Sequence, residues 1–272
     1  MVRSTHDLTF TDDRVVKRYR SWHRGEPDRE WSGLGLLHWR VPGLAPQPLQ
    51  RRADSGVPVI VMTRVVGEPL GTAKLSPAQV GALAETLTRM HAAVPDKVLK
   101  SLPERQWVGR QRPGELPSML RSWAHATPRL QCPVAAQALA VAAAWLDTTD
   151  LSLLSEPPGE QVFTHGDGNL GNFLWDGVRC RVVDFEDCGV CDPVYEVADL
   201  LEHVSVRLHG LVEPDDLIEA VGLSQAQQAR LLTYRRLMAV YWLLMLLPGN
   251  PGHHRNPVGS LEQQAAHVTQ LL

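Results

Sequence analysis

The residues best equipped for chemistry lie between positions 165 and 187. The chain reads His165-Gly166-Asp167-Gly168-Asn169-Leu170-Gly171-Asn172, then an apolar interval, then Val182-Val183-Asp184-Phe185-Glu186-Asp187. A carboxylate (Asp184) and an amide oxygen (Asn172) are hard oxygen donors that can share one cation. A site so poor in protein ligands suits Mg²⁺, which keeps waters and takes its remaining oxygens from a nucleotide's phosphates. Asp167, five residues before Asn172, is left free to accept a hydroxyl proton.

The elements that carry these residues follow from the flanking pattern. Gln161–His165 is strand-like. Phe173-Leu174-Trp175 and Val178–Phe185 flank Asp176-Gly177, and Asp-Gly between two apolar runs predicts a two-residue hairpin turn. With 175 opposite 178, Asn172 would face 181 and Asp184 would face 169. The two donors would then sit three residues out of register, roughly 10 Å apart if extended. Glycines 166, 168 and 171 would have to let the loop curl between them.

The pattern His-Gly-Asp, Asn five residues after the Asp, and an apolar strand ending in Asp-Phe-Glu resembles the aminoglycoside phosphotransferase/choline kinase family, which is related to protein kinases. The resemblance implies Asp167 as catalytic base, Asn172 and Asp184 as Mg²⁺ ligands, and His165 as a brace for the catalytic loop. Downstream, Asp192-Pro193 and Tyr195 to Leu200 resemble the family's Gly-Asp-Pro…Asp-Leu-Ala segment, with Glu196-Val197-Ala198 where Asp-Leu-Ala is usual. Upstream, Leu87 to His91 resembles the Leu-His end of the first large-lobe helix. The favoured reading of His91 is a hydrogen-bonded packing residue. The implied fold is α+β, protein-kinase-like and bilobal. A reduced β-containing N-lobe (1–66) would bind nucleotide, and a mainly helical C-lobe (67–272) would hold the catalytic loop and substrate site.

On the nucleotide side, Val15-Val16-Lys17-Arg18-Tyr19 is strand-like and Glu30 falls in a candidate helix, Asp28–Trp39, weakened by Gly33 and Gly35 by about 1 kcal/mol each. In the family a strand lysine grips the α/β-phosphates and a helix glutamate holds it, roles that Lys17 and Glu30 would take. Of 27 basic residues, 27 − 4 = 23 are Arg, and Lys17 is the only Lys before residue 67. Pro58–Val66 is a second strand, and Met62, Thr63 and Val65 would form the hinge facing a purine. The family's glycine-rich phosphate lid is missing: no glycine precedes Gly25. At most one shortened hairpin can form, Leu8–Phe10 and Arg14–Tyr19, whose turn Thr11–Asp13 would carry Asp12 and Asp13 towards the phosphates and repel them.

The C-lobe reads as helices: Ser76 as N-cap and Pro77 onward to about Ala93, Val134–Leu146, and helices opened by capping boxes at Ser224/Gln227 and Ser260/Gln263. Residues 95–133 give short helices at best, and the Arg105–Arg112 run offers no role. Leu237–Leu247 is too short to span a bilayer and reads as a core helix. Asp187, Glu196, Asp199 and Glu202 form an acidic stretch, either a solvated helix face or a subsite for a cationic acceptor. Cys188 and Cys191, with Cys180 and His203, could be zinc ligands, but small hydrophobic packing suits the cysteines better.

Composition bounds the rest. The chain has 272 residues, 44% hydrophobic and 21% charged, with net charge −3, so no basic field exists to drive nucleic-acid or membrane binding. Four cysteines and no apolar leader predict reduced thiols in a cytoplasmic protein. The expected activity is Mg²⁺-dependent transfer from ATP or GTP to a hydroxyl of a small molecule, an aminoglycoside-like or other antibiotic first. The alternatives are a metabolic kinase acting on an amino alcohol or sugar, and a non-catalytic nucleotide-binding scaffold.

Overall fold

The structure, a computed structural model, describes residues 6–105, 115–151, 154 and 161–272. Most of the Arg105–Arg112 run therefore lies outside the described residues.

A four-stranded antiparallel sheet forms the smaller lobe. It consists of β1 (His6–Phe10), β2 (Arg14–Tyr19), β3 (Pro48–Asp54) and β4 (Val57–Thr63), in the order β1-β2-β4-β3. Helix α1 (Glu26–Arg40) connects β2 to β3 and packs on the sheet. On β2 the alternation of a strand points Val15, Lys17 and Tyr19 to the same face, and that face meets α1. Lys17 pairs with Leu8 on one side and Ile60 on the other, so it is central in the sheet, and it is buried. Helix α1 is longer than the sequence suggested. Gly33, which weakens helix propensity, is a point of close approach: a Cβ there would meet Cys188 Sγ at 2.6 Å.

The larger lobe is mostly helical: α2 (Pro77–His91), α3 (Asp96–Leu99), α4 (Leu116–Ala126), α5 (Pro133–Thr148), α6 (Pro193–Glu202), α7 (Val204–Arg207), α8 (Pro214–Val221), α9 (Gln225–Met245) and α10 (Ser260–Leu271). Short strands carry the site: β5 (Glu68–Pro69), β7 (Phe173–Trp175) and β8 (Cys180–Val182) form one sheet in the order β5-β7-β8, and β6 (Val162–Thr164) pairs with β9 (Gly189–Cys191). The capping boxes at Ser76/Gln79 and Ser224/Gln227 open α2 and α9. The other expected box, Ser260/Gln263, does not form. Ser260 is already helical behind an N-cap at Gly259, and its hydroxyl donates to Pro257 O. Leu237–Leu247 is the buried end of α9 and the turn after it, and no helix among the described residues is long and apolar enough to cross a membrane.

Candidate active site

The hairpin carrying Asp184 is built differently from the two-residue expectation. Trp175 pairs with Cys180, Leu174 with Arg181 and Phe173 with Val182, so the loop holds four residues, 176–179. The Asp176 carboxylate accepts from the N–H groups of Val178 and Arg179, which closes the wider turn. This shifts the register by two residues. Val183 N then donates to Asn172 O at 2.9 Å, and Asn172 lies next to Asp184 rather than three residues away. Asp184 itself adopts φ 69, a left-handed conformation that Asp tolerates better than most residues.

The segment from His165 to Asn172 is held by its own side chains. Asp167 Oδ1 accepts from Asn169 N at 3.0 Å, and Asn169 Oδ1 accepts from Gly171 N at 3.0 Å. Asp167 Oδ2 accepts from Asn172 Nδ2 at 2.9 Å. That bond uses the nitrogen of the Asn172 amide and leaves Oδ1 available to a cation. His165 is fully buried, and its ring nitrogens lie within 3.1 Å of the carbonyl oxygens of Asp167, Val183 and Asp184. One imidazole thus links the two segments that carry the carboxylates. Gly166 has φ 90 and no room for a Cβ, which would lie 2.1 Å from Asp187 O. Gly166→Ala is expected to destabilise the fold by about 3 kcal/mol or more. Gly35→Ala, in open space on α1, should instead be neutral or stabilising by about 0.5–1 kcal/mol. Chemical denaturation of both variants checks this, and equal midpoints would refute the close-packed loop.

Three carboxylates converge on Lys17. Its Nζ is 2.6 Å from Glu30 Oε2 and 3.1 Å from Glu186 Oε2, and it donates to Asp184 Oδ1. Burial alone would lower the Lys17 pKa, but Glu30, Asp184 and Glu186 outweigh it and hold the ammonium above its ordinary value. Glu30 is fully buried; burial raises its pKa against the pull of Lys17, and it also accepts from the Tyr19 hydroxyl. Glu186 is held down to about 2: burial would raise it, but His6 and Lys17 favour its charged form. His6, Asp184 and Glu186 are the one group of three or more His, Cys or acidic residues among those described whose ligand atoms lie within 4.8 Å of one another.

A cavity of about 490 Å³ runs from this cluster to the hinge. It is lined at one end by Lys17, Asn172 and Asp184, at the other by Met62, Thr63 and Val65, and between them by apolar Leu8, Val15, Leu174 and Val183. Of the three hinge candidates, Thr63 has its N–H committed to Gln47 O, whereas the backbone of Val65 has no hydrogen-bond partner among the described residues. The β1–β2 turn corrects the sequence reading. Asp13 O accepts from Arg64 N, so Asp12 and Asp13 sit at the hinge end. The opposite end of that hairpin, where His6 pairs with Tyr19, faces the acidic cluster. The two acidic side chains therefore do not approach the phosphate end.

A second cavity, about 560 Å³, opens on the other side of Asp167. Its lining includes Arg24, Arg105, Asp187, Asp199, His203 and Trp242. The acidic stretch splits into separate roles here. Asp187 pairs with Arg24 at 2.8 Å, and burial pushes its carboxyl up to about 6 against that guanidinium. Asp199 pairs with the fully buried Arg105 at 2.6 Å. Glu196 and Glu202 do not line the cavity and are both buried, so neither sequence alternative, a subsite or a solvated face, describes them. Glu196 accepts from His165 N and Gly166 N and lies 2.5 Å from His91 Nε2, so it supports the start of the 165–172 loop. Glu202 is buried between Arg235 and His267, tying α6 to α9 and α10. Arg105 carries no sequence signal beyond its place in an Arg run, yet it holds both Asp199 and Gly166 O. The cysteines form no metal group among the described residues. All four are free, and burial pushes the Cys180 and Cys191 thiols up to about 12.

Comparison with known proteins points one way. The model of a family described as the phosphotransferase enzyme family matches residues 6–240. No curated protein matches significantly by sequence. Among solved structures, a choline/ethanolamine kinase family protein from Mesorhizobium loti superimposes with a TM-score of 0.63 at 18% identity, covering 99% of this chain and 85% of that one. Aminoglycoside 2'-phosphotransferase-IIIa in its GDP complex gives 0.66 at 16%, covering 98% and 89%. A spectinomycin phosphotransferase in complex with ADP and spectinomycin gives 0.64 at 15%, covering 99% and 91%. The fold is the kinase-like one of these structures, with a small antiparallel N-lobe and a mostly helical C-lobe.

Proposed function

The chain belongs to the phosphotransferase enzyme family, and on that premise we propose that it transfers the γ-phosphoryl group of ATP or GTP to a hydroxyl of a small molecule. One observation carries the reading. The 2.9 Å hydrogen bond from Asn172 to Asp167 joins a residue lining the first cavity to a residue lining the second. A nucleotide in the first and an acceptor in the second would meet at that bond.

The roles follow from the chemistry of each group. Lys17, charged and braced by Glu30, would bind the phosphates. Val65 and the apolar walls would receive the purine. Asn172 and Asp184 fit Mg²⁺, because their available donors are an amide oxygen and a carboxylate. When bound, the ion would neutralise charge on the transferring group. Asp167 would accept the hydroxyl proton, its carboxylate held in place by Asn169 N and Asn172 Nδ2. Most of the rate would come from positioning and charge compensation.

The second cavity bears on the acceptor. Asp187 and Asp199 are each neutralised by an arginine, and Arg255 also lines it. Among the described residues no surplus of acid faces a polycation. This favours a compact hydroxylated acceptor of low charge, a sugar, an amino alcohol or a weakly charged antibiotic, over a polycationic aminoglycoside.

Thermal unfolding with ATP or GTP, with and without Mg²⁺, tests the nucleotide half. Saturation at a hundred times Kd should add about 2.7 kcal/mol of stability, more of it with Mg²⁺ present. Labelled phosphate transfer to a panel of sugars, amino alcohols and antibiotics tests the other half. Stabilisation without any transfer would favour a nucleotide-binding scaffold, and no stabilisation by either nucleotide would defeat the proposal.

A further inference from the structure

The second cavity holds an imidazole that the roles above do not use. His203 follows the last residue of α6 and caps α7. Its place there decides which ring nitrogen carries the hydrogen of the neutral ring. Ser205 N–H can only donate, and it points at His203 Nδ1 from 3.3 Å; the Ser205 hydroxyl lies 2.7 Å from the same nitrogen. Nδ1 is therefore the acceptor, and the neutral ring carries its hydrogen on Nε2. Trp242 fixes the ring plane edge-on, with centroids 4.8 Å apart, and itself packs against Tyr241.

Held in this way, Nε2 faces Asp167 Oδ1 across 4.0 Å. That separation is too long for a direct hydrogen bond. It is the right size for one oxygen atom, which can lie about 2.8 Å from both ends. Asp167 does not need His203 for its own orientation, since Asn169 N and Asn172 Nδ2 already hold it. Nor does Asp199 compete for the imidazole, because Arg105 engages its carboxylate.

We infer that His203 is a positioning residue for the acceptor: its Nε2–H donates to the oxygen of the hydroxyl whose own hydrogen points at Asp167 Oδ1. This inference rests on the phosphotransferase reading. With one hydrogen bond given and one received, the hydroxyl oxygen has a single lone pair left, and its direction is set. That pair forms the new bond to the γ-phosphorus. The bond from the γ-phosphorus to the bridging oxygen breaks, its electron pair leaves with the nucleoside diphosphate, and the hydroxyl proton passes to Asp167. His203 neither gains nor loses a proton. It contributes by keeping the nucleophile in line.

Two variants separate positioning from architecture. His203→Asn keeps a side-chain oxygen to cap Ser205 N but is too short to reach the hydroxyl. His203→Gln extends an N–H to about the depth of Nε2. Phosphate release from MgATP and MgGTP, with water as acceptor, is measured alongside melting temperature and nucleotide KM. Asp167→Ala serves as the baseline. The expected result is a fall in kcat on the order of 10- to 100-fold in His203→Asn, with unchanged melting temperature and nucleotide KM, and partial recovery in His203→Gln. Unchanged kcat in His203→Asn overturns the inference and leaves the phosphotransferase reading standing. A kcat loss matched by a lower melting temperature, with no recovery in His203→Gln, overturns it in favour of a structural cap. Wild-type release no faster than Asp167→Ala defeats the phosphotransferase reading and the role of His203 with it.

Discussion

Asp167→Ala is expected to lower phosphoryl transfer by about 10²- to 10⁴-fold while nucleotide binding survives. The reason lies in what Asp167 touches. It lines the second cavity and has no bond to Lys17 or Asp184, so its loss leaves both of those groups in place. The loop loses the hydrogen bonds from Asn169 N and Asn172 Nδ2, a cost of about 1 kcal/mol each that heat or denaturant will register. Asp167→Asn should behave differently. Its new amide would set N–H against N–H at Asn172, and relief requires the Asn172 amide to turn over, taking Oδ1 away from the cation. The Asn variant should therefore lose the Mg²⁺-dependent share of nucleotide stabilisation as well as turnover, whereas the Ala variant keeps it. Turnover in Asp167→Ala within a few-fold of wild type would rule out Asp167 as the base. Equal Mg²⁺ dependence in the two variants would rule out the role of Asn172.

Lys17→Met is expected to be the most destabilising single change at the site, by about 3–5 kcal/mol, and to abolish nucleotide-dependent stabilisation. The methionine fills most of the volume but removes the charge on which Glu30, Asp184 and Glu186 converge. Glu30 is fully buried, so its uncompensated carboxylate dominates the penalty. For a domain of this size the loss corresponds to a melting-temperature drop of roughly 10 °C. The sign of its pH dependence follows. Without Lys17, burial raises the folded-state pKa of Glu30 further above the unfolded value. The folded state then binds a proton more tightly than the unfolded state, and stability rises as pH falls through that raised pKa. The gap between variant and wild type should narrow from pH 8 to pH 5. Adding Glu30→Gln to Lys17→Met should recover part of the loss, because the buried charge is gone. A gap that widens on acidification, or a double variant weaker than the sum of the singles, would contradict the ionic account of this cluster.

How much of this was legible before folding depends on the range of the interaction. The spacing from His165 to Asn172 is a property of one loop, and its side chains bond to backbone two residues away, so the local grouping could be read directly. Helix starts at Ser76 and Ser224 were equally local, each a capping box closed within four residues. The hairpin was misread because Asp-Gly at 176–177 signals a two-residue turn, whereas the Asp176 carboxylate accepts from N–H groups two and three residues on and stabilises a four-residue loop. Register is a choice between alternatives of similar local energy, and the pairing of the flanking strands makes it.

By itself, the sequence determined the inventory: two carboxylates and an amide at fixed spacing, one lysine in a short strand, and the family to which they belong. Tertiary structure decided what each charge is worth. Asp187 is neutralised by a residue 163 positions away, Asp199 by one 94 away, and Lys17 faces a carboxylate 167 positions on. Whether an acid binds substrate, supports a loop or joins helices depends on partners brought together from distant parts of the chain. Burial then sets the strength of each pairing, because a charge removed from water is held by the few groups it can reach.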